Sequence, residues 1–188
     1  MALQDAILAA LADGSESSGY DLAKAFDYAV ANFWTATPAQ LYRELEKMQD
    51  EGLVAARVVA QEKRPNKRLL SLTKAGRKAL HEFTTRDPKP TAIRDELLIQ
   101  VDAMEHGDLA SVKAHIEARL AIAEQKLAYY KKSRERSLDG CSEEDFLVEE
   151  ERVGPYLTLL RGISFEQENI RWAKLALKVL AKREAARR

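Results

Sequence analysis

Residues 37–76 restrict the folds open to this chain more than any other stretch. TPAQLYRELEKMQDEGLV opens with a threonine able to cap a helix and has Gln40 three residues on, the spacing of a capping box. Pro38 falls at the first helical position, where its missing N–H costs nothing. Leu41, Leu45 and Met48 recur at helical spacing, so one side of this helix must be buried, and Gly52 supplies a left-handed stop. Leu53 to Ala60 and Arg68 to Leu72 follow as two short strands around the turn pair Pro65-Asn66. Thr73 then caps a further helix carrying Leu80 and Phe83. A capped helix, a hairpin and a closing helix in this order predict a winged helix-turn-helix.

Charge sharpens that reading. Between Arg57 and Lys78 stand eight Lys or Arg and one acid, Glu62, in a chain of 188 residues whose formal net charge is zero. Residues 1–51 hold three basic and nine acidic side chains, so the neutral total averages segments of opposite sign. Screening confines electrostatic attraction to about 8–10 Å at physiological salt, and one cationic edge can therefore hold phosphate on a neutral protein.

Two helices precede the capped one. Ala6, Ile7, Ala10 and Leu11 mark the first, from Leu3 to Leu11, which stops at Asp13-Gly14. Ser18 and Asp21 form a second capping box, and Leu22, Ala25, Phe26, Ala29 and Val30 continue as its apolar stripe. After the hairpin, TRDPKP at 85–90 is the domain boundary, because two prolines among polar residues cannot continue a helix. The domains are read as 1–85, a winged helix, and 91–188, an all-helical domain.

In that second part Ile93, Leu97, Val101 and Met104 mark a short helix ending at Gly107, and Asp108 caps the next. There Leu109, Val112, Ile116, Leu120, Ala123, Leu127 and Tyr130 approach a heptad seam. A last helix from Pro155 carries Leu159, Ile163, Ile170, Trp172, Ala173, Leu177 and Leu180. Two long seams and one short helix make a poor solitary core. Leu109, Val112, Ile116, Leu120, Leu127, Ile163, Ile170, Trp172, Leu177 and Leu180 are accordingly expected at a dimer interface. Between the long helices DGCSEEDFLVEEE reads as a solvated connection whose Phe146 and Leu147 dock on the helices.

The fold class expected is mainly α with a small β-hairpin wing: an N-terminal winged helix-turn-helix plus a C-terminal helical dimerisation domain. In the capped helix Gln40, Arg43 and Lys47 project from one side and could enter a DNA groove, Gln40 toward adenine, Arg43 toward guanine and Lys47 toward phosphate. The same three side chains would also suit a solvated face tied to Glu44, Glu46 or Asp50. Lys63, Arg64, Asn66, Lys67 and Arg68 at the hairpin tip are expected at phosphate. Thr37 is a helix cap at a terminus that can also receive phosphate. Tyr20 and Tyr42 fit either core positions or phosphate donors.

Other chemistries lack their parts. No nucleophile, base and orienting acid can be assembled, nor a phosphate loop, so no enzyme and no cofactor are expected. His81, His106 and His115 are scattered without ligand spacing, so no metal is expected, and the lone Cys141 reads as structural. No apolar run is long enough for a membrane span and no signal peptide is evident, which leads to a cytoplasmic expectation. Phe33, Trp34 and Trp172 are either packing residues or the lining of an effector site.

SGYDLAKAF at 18–26, TPAQLYRELEKMQDEGLV at 37–54 and NKRLLSLTKAG at 66–76 together resemble the PadR-like transcriptional regulators. RDELLIQVDAM at 94–104 and PYLTLLRGISFEQENIRWAKLAL at 155–177 extend the resemblance to the larger subclass with a full helical C-terminal domain. The resemblance implies a homodimeric DNA-binding regulator, a repressor in most members, and the two-fold symmetry of such a dimer predicts an inverted-repeat operator. It also implies a small hydrophobic or aromatic effector in some. It places Tyr20, Thr37, Gln40, Tyr42 and Arg43 toward DNA and residues 63–68 on the wing. Arg43 departs from a proline in the family pattern, and Leu70 from a frequent aromatic. The competing expectation is a winged-helix protein-interaction module whose basic wing meets an acidic protein without sequence-specific DNA binding.

Overall fold

The computed structural model describes residues 2–26, 36–60 and 66–186, and the chain divides into two compact units, Met1–Pro90 and Thr91–Arg188. The first contains α1 (Ala2–Ala10), β1 (Ser17–Ser18), α2 (Gly19–Ala25), α3 (Pro38–Asp50), β2 (Val54–Val59), β3 (Lys67–Leu72) and α4 (Lys74–Thr84). The second contains α5 (Glu96–Asp102), a 3-10 turn (Met104–His106), α6 (Leu109–Leu138), α7 (Glu143–Glu149) and α8 (Gly154–Ala186).

Local chemistry sets the ends of these elements. Ser18 and Asp21 close a capping box at α2, Thr37 and Gln40 another at α3, and Thr73 accepts from the Gly76 N–H at α4. The left-handed stop falls at Gly52, φ 70°, where a side chain would be strained. Apolar spacing then sets the packing. Ile7, Leu8, Leu11, Leu22, Leu41 and Met48 are essentially sealed from solvent, and Leu45, Val54, Leu70 and Leu72 complete one core. Burial contributes about 1.5–3 kcal/mol for each such side chain, which fixes the side of α3 that faces inward.

The antiparallel sheet has the order β1-β3-β2, with Val54 opposite Leu72 and Val59 opposite Lys67. The two-residue β1, Ser17 and Ser18 against Leu70 and Leu69, was not anticipated. It is too short for any alternation to betray it. Phe83, expected on α4's packing face, is 39% exposed with the Arg86 guanidinium over its ring. Ala29, Val30, Phe33, Trp34, Lys63 and Arg64 lie outside the described residues.

In the second unit α6 and α8 run antiparallel, since Lys113 pairs with Glu184, Lys174 with Glu124 and Lys126 with Glu166 in descending order. At 1.5 Å per residue these helices extend about 45–50 Å. Leu97, Val112, Ile116, Ala173 and Leu180 form the core of the hairpin, with Leu109, Leu120, Trp172 and Leu177 packed on it. Three of the expected intersubunit residues are corrected: Val112, Ile116 and Leu180 are buried by this chain's own helices. A heptad seam reports that a face is covered, and an antiparallel neighbour in the same chain covers it as well as a second subunit.

Two smaller corrections follow. Ile93 precedes α5 and is 82% exposed. The acidic connection is a short helix, α7, capped by Ser142. Its Phe146 packs against Tyr156 at 4.7 Å between ring centres, as expected, whereas Leu147 is exposed. Arg134 grips Glu143 through two hydrogen bonds of 2.9 and 2.8 Å, and Tyr156 donates a third. Chiefly the Arg134 bond, with the Tyr156 bond next, lowers the Glu143 carboxyl to about 2.

Candidate nucleic-acid interface

With Leu41, Leu45 and Met48 inward, the 100° step of a helix turns Arg43, Glu46, Lys47 and Asp50 to solvent. Tyr42 and Gln49 then flank the side next to β3, and Gln40 and Glu44 flank the other. All four of the outward side chains are exposed. Among the described residues, α3 with its cap and the adjoining β2-β3 wing carry the sequence-predicted DNA contacts other than Tyr20, which lies on α2.

Each predicted residue has a definite environment there. Gln40 Oε1 accepts from the Thr37 N–H at 2.9 Å while the Gln40 N–H donates to Thr37 Oγ1 at 3.2 Å. A glutamine must use both its oxygen and its amide N–H to hold adenine bidentately, so the cap competes with the expected base contact. Lys47 Nζ lies 3.6 Å from Glu44 and 3.7 Å from Glu51. These pairs replace the combination expected from sequence, which included Glu46 and Asp50. Arg43 is exposed and, among the described residues, has no ion pair or hydrogen bond.

The tyrosines separate. Tyr20 is 70% exposed at the start of α2 and is no core residue. Tyr42 is half-exposed and lays its ring against Gly19, where an added Cβ would stand 2.5 Å from the ring. A side chain at Gly19 would push the Tyr42 ring aside, and the contact marks the flank of α3 that looks toward the wing.

The wing is less cationic in three dimensions than along the chain. Arg57 pairs with Glu16, and Lys67 Nζ lies 3.1 Å from Asp21. Asp21 is held below the ordinary carboxylate range first by the Ser18 hydroxyl bond and then by Lys67. Arg68 donates to Gln49, and Gln49 in turn donates to the Leu45 carbonyl at 3.0 Å, tying the wing base to α3. Lys78 pairs with Glu82 at 3.7 Å. The expectation of cations with no acid but Glu62 nearby is therefore corrected, because Glu16, just before β1, and Asp21, on α2, reach them. Asn66 is exposed beside them. Sequence reasoning missed Glu16, Gly19, Asp21, Glu46 and Gln49. The last two carry a usable signal, their spacing of four and seven from Tyr42 on one helix.

No group of His, Cys, Asp and Glu among the described residues could hold a metal ion, and Cys141 is exposed. No described helix is long and apolar enough to cross a membrane. Trp172 is half-buried in the α6-α8 core.

The sequence profile described as "Transcriptional regulator PadR-like family" matches residues 7–82, and that described as "Virulence activator alpha C-term" matches residues 93–181. The chain is similar to the Mycobacterium tuberculosis protein named "Probable transcriptional regulator Rv1176c", 31% identical over 182 residues, 92% of this chain and 94% of that one. It is similar to the "Negative transcriptional regulator PadR" of Bacillus subtilis, 28% identical over 96% of this chain and 98% of that one. The crystal structure of Bacillus subtilis PadR with operator DNA superposes with a TM-score of 0.75, at 27% identity, over 95% of this chain and 97% of that one. Its structure with p-coumaric acid gives a TM-score of 0.67 at 27% identity over 95% of each chain.

Proposed function

We propose that this chain, which belongs to the PadR-like family of transcriptional regulators, acts as a homodimeric repressor on an inverted-repeat DNA operator. The observation that carries the reading is the solvent face of α3, where Arg43 has no ion pair or hydrogen bond among the described residues, beside a wing braced to the same helix by Arg68 and Gln49. Such a helix fits the major groove while the wing follows phosphate. Similarity to a regulator crystallised with operator DNA, and to the same protein named as negative, supports both the ligand and the sign of regulation.

Homodimerisation is supported by apolar surface the single chain leaves uncovered. Leu157, Phe165, Leu175 and Val179 stand exposed along α8, close to the spacing of a heptad stripe, with Ile122 and Tyr129 on α6. These residues replace Val112, Ile116 and Leu180 as the intersubunit contacts. Two-fold symmetry then sets half-site centres about one helical turn apart, roughly 34–36 Å, or a multiple. A small aromatic or hydrophobic effector is a further partner, supported by the relative seen with p-coumaric acid. The effector-responsive part is the 91–188 domain, and the 1–85 domain carries the DNA contacts.

The test is selection of genomic fragments by the purified protein, followed by release with small aromatic acids. Recovery of one inverted repeat is expected. Arg43→Ala should then reduce discrimination about tenfold, whereas Lys67→Ala should weaken binding to all sequences and flatten the salt dependence. Equal losses on specific and random DNA from both changes would refute this division of roles. Retention of an acidic protein with no DNA enrichment would favour the protein-interaction module instead.

A further inference from the structure

We infer that Glu46 is a specificity-determining residue, one that accepts a hydrogen bond from the exocyclic amino group of a cytosine in the major groove. The inference rests on the DNA-binding reading of α3 and goes beyond it by assigning a base to an acid.

Glu46 stands on the outward face of α3, one turn beyond Tyr42, between Arg43 and the wing. It borders the shallow notch of about 110 Å³ formed with Gly19, Tyr42, Leu45, Gln49, Arg68 and Leu70. Of the cations nearby, Arg68 donates to Gln49, Lys67 pairs with Asp21, and Lys47 pairs with Glu44 and Glu51, while Arg43, three residues back on the same face, forms no ion pair with Glu46. Glu46 itself has no ion pair or hydrogen bond among the described residues, and its side chain is exposed.

An unpaired carboxylate on a face that meets a polyanion is repelled by phosphate wherever it lies near the backbone. It becomes favourable at one kind of position, opposite a donor on a base edge. In the major groove cytosine N4 is a donor unaccompanied by an acceptor on the same base, and a carboxylate has acceptors only. Adenine presents its donor beside the N7 acceptor, which a carboxylate cannot satisfy. Of the other polar side chains on α3, Gln40 lies on the flank away from the wing with its oxygen engaged by the Thr37 cap, and Asp50 follows one turn later, at the last residue of the helix. The flank nearest the wing is thus left to Glu46. Phosphate repulsion and base pairing act together: the acid penalises binding to every site and recovers that penalty where a cytosine is in register, which widens the gap between specific and random DNA.

The experiment uses the full-length protein and randomised double-stranded DNA, with every base of the selected half-site then varied singly. Wild type is expected to prefer cytosine at one position per half-site by about tenfold over the other bases. Glu46→Ala should erase the preference at that position alone and raise affinity for random DNA. Glu46→Gln should shift the preference toward adenine, since an amide presents both a donor and an acceptor. Unchanged thermal midpoints of both variants, expected of an exposed residue without partners, would show that the effect is on recognition. The inference is overturned if either variant keeps the cytosine preference, or if affinity rises equally on all sequences. Should wild type select no sequence at all, the DNA-binding reading fails and this assignment fails with it; a selected site with an unaltered profile refutes Glu46 alone.

Discussion

The two units satisfy their apolar residues differently. In the first, four helices and a small sheet seal Ile7, Leu8, Leu11, Leu41 and Met48 from water, so the outer face of α3 is left to charge. In the second, the α6-α8 hairpin covers Ile116 and Ala173 fully but leaves Leu157, Phe165, Leu175 and Val179 at 44–53% exposure. A pair of long helices has too much surface for its volume to bury both faces. The first unit thus closes its core among its described residues, while the second leaves an apolar stripe on α8 exposed.

Leu41→Ala should be the most damaging substitution. A cavity in the sealed core should cost about 2–5 kcal/mol and lower the unfolding midpoint of the first unit, with helix content of the second retained. A loss below about 1 kcal/mol, read by denaturant titration, would mean the core is looser than its burial implies. Next in size is the double change Phe165→Asp and Leu175→Asp. It should convert dimer to monomer at micromolar concentration in analytical ultracentrifugation while leaving the helical circular dichroism intact, since neither side chain enters the hairpin core. An unchanged sedimentation coefficient would move the interface elsewhere.

The comparison is sharpened by two smaller effects. Glu16→Gln releases Arg57 from its acid, so affinity for random DNA should rise about two- to fivefold at low salt and converge with wild type as salt increases. No change would mean that Arg57 does not reach phosphate. Glu143→Gln addresses the other unit. The Glu143 carboxyl is held near 2, below its unfolded value near 4.5, so its stabilising contribution is present above 4.5 and disappears as pH falls toward 2. The variant should therefore be slightly less stable than wild type at neutral pH, and the two should converge in acid. Parallel melting curves across that range would remove the bond from the stability of the α6-α8 end.

Much of this was legible in the residues themselves. Ser18 with Asp21, Thr37 with Gln40 and Asp108 each start the helix that they foretell, since caps act over three residues. The end of α3 at Gly52 and the break at Pro88 and Pro90 are equally local. Leu70, where the family pattern often has an aromatic, is buried under the wing, as an apolar strand residue should be.

What the chain alone determined is therefore where its helices begin and end, which side of each must leave water, and that a wing follows α3. Those outcomes depend on interactions a few residues long or on a repeating period. Only the tertiary structure decided the partners. Glu16 reaches Arg57 from 41 residues away, Asp21 reaches Lys67, and Leu97, Ala173 and Leu180 of the same chain pack on Val112 and Ile116. Periodicity states that a face is buried and charge counting states that a segment is basic. Neither names the group opposite, because Coulomb attraction and apolar contact act through space, and space is set by the fold.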